Sequence, residues 1–379
     1  MKKILSVFIN FSLVIFFCLL PALNSGAVSV DSENVINSVS DALIPEDIEN
    51  IPDESYKNAE IFGEDLSFEN TSSFFDVGKI VSFIFGILTS VLAAKKSYII
   101  TLISILTLSF IAQYLGQGLA NEKTLSSVRK ITVLLTAVSV FFPLWETISD
   151  SLTYGETLSS FSVSIMPIFV SLASASGTPS AAVGSSAAVF FSVEFFSWVL
   201  AVAVPVFVSV FLSAGIASGF SEDEGLKKLS SAARNIIIAV MTFVYFLIST
   251  VASLQGGILS GTDTVAKKGL KFVVGSAVPV AGGFLSDGLD SVYASASALS
   301  KTLGGFSVVV IFLAAVTPLI ELLVCGLCMK ACAVISSLFK NSPLENFFAV
   351  SFDAYLVALS FVLGYFVTLS ILMLITVGG

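Results

Sequence analysis

The sequence FSVVVIFLAAVTPLIELLVCGLC occupies residues 306–328 and contains one charged side chain, Glu321. A helix needs about 20 apolar residues to cross the hydrocarbon core of a bilayer, so this run predicts a membrane-spanning helix. The composition of the whole chain agrees, because 55% of its 379 residues are apolar, 12% are charged and the mean hydropathy is +0.97. Soluble domains carry roughly 25% charged residues. We therefore predict an all-α integral membrane protein.

Apolar runs of similar length lie on both sides of residues 306–328. They predict further spans at Ser97–Leu115, Ile131–Trp145, Leu158–Ser176, Ile236–Leu254 and Ala354–Val377. The run Ala181–Gly219 is longer, with 39 residues and an expected break near Pro205. The run Ile80–Ala94 is short and is predicted to lie in the membrane interface. The fold class is therefore a polytopic helix bundle with about seven or eight transmembrane helices.

The N-terminus has the pattern of a secretory signal. Two lysines precede the apolar run Ile4–Leu20, and small residues follow at Ser25–Ala27. We predict a cleavable signal peptide over residues 1–27, with an uncleaved anchor as the alternative. Residues 28–76 form a predicted acidic extracytoplasmic segment, because residues 31–76 contain 13 acidic side chains and one basic one. We expect it to be one weak helix followed by a solvated tether, ahead of a transmembrane domain at 77–379.

The distribution of basic residues gives an expected orientation. The loops at residues 121–130 and 222–234 each contain three lysine or arginine side chains, and the positive-inside rule places such loops in the cytosol.

One apolar segment is too short to span and too interrupted to form a regular helix. Residues 272–285 number only 14 and include Gly275, Pro279, Gly282 and Gly283. Irregular backbone at membrane depth persists only where protein or a water-filled cavity satisfies its polar groups. The segment is predicted to be a re-entrant element that lines a pathway, or else a hairpin packed between helices.

Four carboxylates are candidates for a role in such a pathway. Asp287 and Asp290 lie three residues apart and share a helix face, where they could meet an ion or charge a helix N-terminus. Glu194 and Glu321 lie inside apolar runs, where an acidic side chain is costly and is a functional candidate by default. The alternative for both is a protonated carboxyl hydrogen-bonded between helices, since no buried basic partner is evident from the sequence.

The composition argues against several classes of function. The chain has no histidine, which removes histidine-based triads and histidine-ligated zinc. Cys325, Cys328 and Cys332 share a helix stripe that could hold a soft metal, but packing by small residues is the favoured interpretation. The sequence predicts no catalytic residues, no cofactor and no metal site. A pI near 4.6 gives no electrostatic basis for nucleic-acid binding.

The central part of the chain resembles the signature of the stage III sporulation protein AE family. The resemblance rests on Ser253-Leu254-Gln255-Gly256, Lys271-Phe272, Gly275, Val278-Pro279-Val280, Gly282, Phe284, Asp287 and Asp290-Ser291. Residues 166–177, with Met166-Pro167 and the Ser174–Gly177 turn, resemble the preceding helix and glycine turn of that family.

The resemblance implies a protein of endospore-forming bacteria, located in the mother-cell-derived membrane that surrounds the forespore. It implies membership of a multiprotein, secretion-type channel complex that links the two cells and includes an ATPase and ring-forming membrane subunits. The sequence then favours a channel or permease-like subunit. A non-conducting membrane scaffold and a stand-alone secondary transporter remain as alternatives.

Overall fold

The computed structural model describes residues 48, 50–67, 71–119, 122–221, 225, 228–248, 250, 268 and 282–378, and the regular elements among them are helices. For some residues inside the helices only the backbone is described. In chain order the helices are α1 (Asp53–Phe62), a 3-10 turn (Thr71–Phe75), α2 (Val77–Ala94), α3 (Lys96–Leu119), α4 (Glu122–Ala175) and α5 (Pro179–Trp198). They continue with a π-helical turn (Val199–Ala203), α6 (Val204–Ser221), α7 (Lys228–Ile248), α8 (Gly282–Leu338) and α9 (Ser342–Gly378).

The helices are longer than the predicted spans because polar stretches between the apolar runs also fold as helix. The predicted spans at 131–145 and 158–176 are joined in α4, a single helix of 54 residues. Its central sequence, ETISDSLTYGET, is polar and charged, as surface loops often are. It contains no proline, so nothing in it stops a helix. The helix ends at Ala175, just before Gly177, whose positive φ of 80° forms the expected glycine turn.

Residues 179–221 are helical throughout, whereas the sequence predicted a break near Pro205. A π-helical turn at Val199–Ala203 directly precedes α6, in which Pro205 is the second residue. Proline has no N–H and its ring clashes with the preceding turn, and a wider turn relieves both problems without ending the helix.

The centre of the bundle is the antiparallel pair α8 and α9. Gly326 on α8 lies so close to Tyr355 on α9 that a Cβ added to the glycine would be 3.2 Å from the tyrosine Cβ. Farther along the pair, the ring centroids of Phe312 and Phe366 are 6.4 Å apart. The α6 helix packs on α9 near Gly215, and α4 contacts α9 from another side. This pair therefore provides the surface on which the other helices assemble.

The α2 and α3 helices lie end to end beside α8, and both run parallel to α8. Phe83 faces Phe312, Lys95 pairs with Glu321, and Gln113 donates to the main-chain carbonyl of Phe339. In contrast, α4 runs antiparallel to α8, and its middle lies beside Lys95. These contacts place each residue at a defined level along the bundle axis.

The acidic segment is folded where the structure describes it, so the expectation of a solvated tether is wrong for α1. Ser55 and Asn58 are buried and donate to the main-chain carbonyls of Val310 and Leu313 on α8. Asn58 also donates to the Thr317 hydroxyl, 2.9 Å away. Short polar side chains on one face of α1 thus anchor it, while its acidic residues face outwards.

Six helices in the described residues are long and apolar enough to cross a membrane. They include α2, which begins three residues before the run that the sequence assigned to the interface. Two shorter apolar helices lie at Ser186–Trp198 and Val204–Ala217. The predicted signal peptide at 1–27 lies outside the described residues.

Candidate functional site

Polar and charged side chains meet in one layer of the bundle, beside the second half of α8. They come from α3, α4, α7, α8, α9 and the residue that joins α2 to α3. We call this set the polar layer; its members are Lys95, Tyr98, Thr147, Ser230, Arg234, Glu321, Asp353 and Tyr355. Polar groups inside an apolar bundle must satisfy one another, and this layer does so with two ion pairs and hydroxyl contacts.

The first ion pair joins Lys95 to Glu321. The Lys95 Nζ lies 3.3 Å from the Glu321 Oε2 and 3.4 Å from the Thr147 hydroxyl, to which it donates. Both side chains of the pair are about one-fifth exposed, at 21% and 20%. Lys95 occupies the single non-helical position between α2 and α3, where its long side chain can reach across to α8. The pair is therefore partly exposed.

The second ion pair, between Arg234 on α7 and Asp353 on α9, is more enclosed. The Arg234 Nη1 donates to one carboxylate oxygen of Asp353, and the Ser230 hydroxyl donates to the other at 3.2 Å. The exposed fractions of the two charged side chains are 15% and 7%. Lys330 lies close by, 5.5 Å from the centre of the Phe352 ring. A buried pair with both acceptor oxygens satisfied fixes the position of α7 on the bundle.

Two tyrosines of the layer contact each other. The Tyr98 and Tyr355 hydroxyls lie 3.5 Å apart. Tyr98 is three residues from Lys95, and Tyr355 is two residues from Asp353. The tyrosine pair therefore adds a third polar contact to the layer, close in sequence to each ion pair.

The two predicted intramembrane acids, Glu321 and Glu194, lie in different environments. Glu321 lies in the polar layer and has a basic partner, so the expectation of no such partner is wrong for this residue. The reason is that Lys95 is 226 positions away in sequence and belongs to the end of the run that was assigned to the interface. Glu194 lies exposed on α5, apart from the layer.

The predicted pathway residues fall partly outside the described residues. Gly275 and Pro279 lie outside them. Gly282, Gly283, Asp287 and Asp290 lie in the first three turns of α8, where the backbone is helical and the side chains are not described. The two aspartates are more than 30 positions from Glu321 on one helix, so they belong to a different level from the polar layer.

The cysteine stripe of α8 faces the core. Cys325 and Cys332 are buried and Cys328 is partly buried, and all three are free thiols. Within the described residues, no cluster of three or more potential ligands could hold a metal ion.

Sequence reasoning did not identify Asp353 or Arg234. Each lies just outside a predicted span, one residue before 354–377 and two residues before 236–254. Such residues look like ordinary flanking charges. An aspartate between Phe352 and Ala354, in a run that is apolar on both sides, was the available signal.

Comparison with known proteins gives two matches and one negative result. The family model described as stage III sporulation protein AE matches residues 63–378. The protein named stage III sporulation protein AE from Bacillus subtilis (strain 168) is 25% identical over 284 residues, which cover 74% of this chain and 70% of that protein. No solved structure matches this chain.

Proposed function

Because this chain belongs to the stage III sporulation protein AE family, and so has a role in sporulation, we propose that it is a permease-like subunit of a membrane channel complex. The complex would be of the secretion type and would link the mother cell and the forespore during endospore formation. The proposed location is the mother-cell-derived membrane around the forespore. The proposed partners are an ATPase and ring-forming membrane subunits. We assign no catalytic reaction to the chain.

The observation that carries this proposal is the Lys95–Glu321 pair. A partly exposed ion pair on apolar helices contributes little to packing, because water screens the attraction between its charges. Opposite charges at one-fifth exposure instead offer a polar surface to a hydrated path between α2, α3 and α8. The buried Thr147 hydroxyl accepts a hydrogen bond from Lys95 and holds that side chain beside Glu321.

The test is to neutralise the pair in the spore-forming host. Glu321→Gln keeps the shape of the side chain but removes its charge, and Glu194→Gln is the matched control on an exposed site. We expect Glu321→Gln to lower the yield of heat-resistant spores by at least about tenfold, while co-purification of the partner subunits stays unchanged. Normal spore yield from Glu321→Gln would remove the support that the pair gives to a transport role.

A non-conducting scaffold is the second candidate, and the enclosed Arg234–Asp353 pair favours it. This pair holds α7 on α9 with little exposure, as an assembly element requires. The same experiment distinguishes the two candidate functions. If Glu321→Gln removes the partner subunits from the purified complex along with the spores, the chain acts as a scaffold.

A further inference from the structure

Exposed charges mark one level of the bundle surface. Glu146 and Asp150 are exposed on the middle of α4, close to the level of Glu321, and Glu156 is exposed roughly 14 Å farther along α4 from Thr147. On another side, α1 lies against residues 310–317 of α8 and exposes two more carboxylates. Carboxylates at several points around a helix bundle are not tolerated in hydrocarbon, so this level contacts water or lipid headgroups.

The part of the bundle on one side of that level has the length of a bilayer core. We call it the turn-side half; it extends from Glu321 to the turn between α8 and α9 at residues 339–341. The 17 residue steps from Glu321 to Leu338 span roughly 26 Å of helix, close to the roughly 30 Å of hydrocarbon in a bilayer. By the same rise, α8 as a whole measures roughly 85 Å, nearly three times that thickness.

The α3 and α4 segments of the turn-side half carry no charge, which suits them to contact lipid. Residues 97–115 of α3 and 131–145 of α4 contain no charged side chain. Large apolar side chains are exposed there on three helices, as they also are on α2 and α5 in the other half, so the lack of charge is the feature that distinguishes this half; the exposed apolar residues here are Ile103, Leu108, Leu135, Val138, Leu327 and Val334. The far end of this half then carries cations, with Arg129 and Lys130 on α4 and Lys340 in the turn. That pattern is typical of a cytosolic membrane boundary.

We propose that the bilayer encloses only the turn-side half, with the Lys95–Glu321 pair near its extracytoplasmic boundary and the enclosed Arg234–Asp353 pair inside it. The other half, which carries α1, projects from the membrane on the extracytoplasmic side. This placement explains why helices in the bundle exceed the thickness of one bilayer and why α1 can expose carboxylates while it packs on an apolar helix. The placement does not depend on the transport role proposed above.

Tryptophan fluorescence in vesicles tests the placement on the full chain. The chain has two tryptophans, Trp145 and Trp198. Both are replaced by phenylalanine to remove the native tryptophan fluorescence. Leu135→Trp then reports on the turn-side half and Phe85→Trp on the projecting half. The native side chains at these two positions are equally exposed, at 63%. The vesicles contain phosphatidylcholine brominated either near the headgroup or near the middle of the acyl chain.

We expect mid-chain bromine to quench the tryptophan at position 135 at least about threefold more than the one at position 85. A second pair, Val138→Trp and Phe191→Trp, repeats the comparison at other exposed sites in case one variant fails to insert. Equal quenching at the two positions of either pair by mid-chain bromine would overturn the placement, because both halves would then lie in hydrocarbon.

Discussion

Replacing Gly364 by alanine probes the closest contact between α7 and α9. The ring of Tyr245 lies directly over Gly364, and its hydroxyl donates to the main-chain carbonyl of Phe361 at 3.0 Å. A Cβ at position 364 would overlap the tyrosine ring at Cε2, Cζ and Cδ2. Ordinary carbon contacts are about 3.5–4.0 Å, so the ring must move and give up its hydrogen bond.

The expected magnitude follows from three effects. Overpacking costs about 2 kcal/mol and the lost hydrogen bond about 1 kcal/mol. Alanine in a helix gains back about 1 kcal/mol relative to glycine, which leaves a net destabilisation of about 2 kcal/mol. Gly215→Ala is the matched control, since its new Cβ would meet Val350 at an ordinary 3.5 Å. The Gly215→Ala variant should show only the stabilisation of a helix by alanine. The free energies of unfolding of the two variants should therefore differ by about 3 kcal/mol.

The assay is thermal unfolding of the purified chain in detergent micelles, followed by near-ultraviolet circular dichroism. We expect Gly364→Ala to unfold well below the wild-type temperature and Gly215→Ala at or above it. On a Tyr245→Leu background the ring is absent, so Gly364→Ala should lose most of its cost. Equal stability of the two glycine variants would refute this account of the α7–α9 contact.

Three further predictions concern the polar layer and α1. Arg234→Leu leaves the Asp353 carboxylate buried without its cation and should destabilise the chain by about 3–5 kcal/mol, measured by the same unfolding assay. Adding Asp353→Asn should recover a large part of that loss, and no recovery would contradict an ion-pair explanation. Asn58→Ala removes two hydrogen bonds to α8, costs about 2 kcal/mol and should expose α1 to limited proteolysis. Lys57→Ala on its exposed face is the control and should leave the cleavage rate unchanged. Finally, the hydrogen bond from Lys79 at the start of α2 lowers the pKa of Glu64, so this link stabilises the chain above the usual glutamate pKa and is lost as pH falls through the lowered value. Protease resistance of α1 and the loop after it should therefore drop on acidification, and Glu64→Gln should flatten that pH profile.

Much of the fold could be predicted from the local sequence. The runs at 97–115, 131–145 and 306–328 all lie in helices, because apolar length alone specifies a helix in a membrane. Hydropathy could not show that successive runs would join into single long helices. Polar residues such as those between 146 and 157 lower the mean hydropathy but do not break a helix, so α4 continues through them.

Only part of the candidate site could be predicted from the sequence. Glu321 stood out because it interrupts an apolar run, yet its partner Lys95 lay at the edge of a segment assigned to the interface. Arg234 and Asp353 resembled flanking charges and were passed over. Partners of this kind are more than 100 positions apart, and no periodicity links them.

Reading the sequence alone was enough to predict an all-helical membrane protein and to name the family that it resembles. Those properties depend on composition, apolar run length and local motifs, all of which are readable along the chain. The packing of α1 on α8, and the meeting of two ion pairs and two tyrosines in one layer of the bundle, became visible in the folded chain. The physical reason is that a charge in an apolar bundle is stabilised by its partner, and the packing of helices selects that partner.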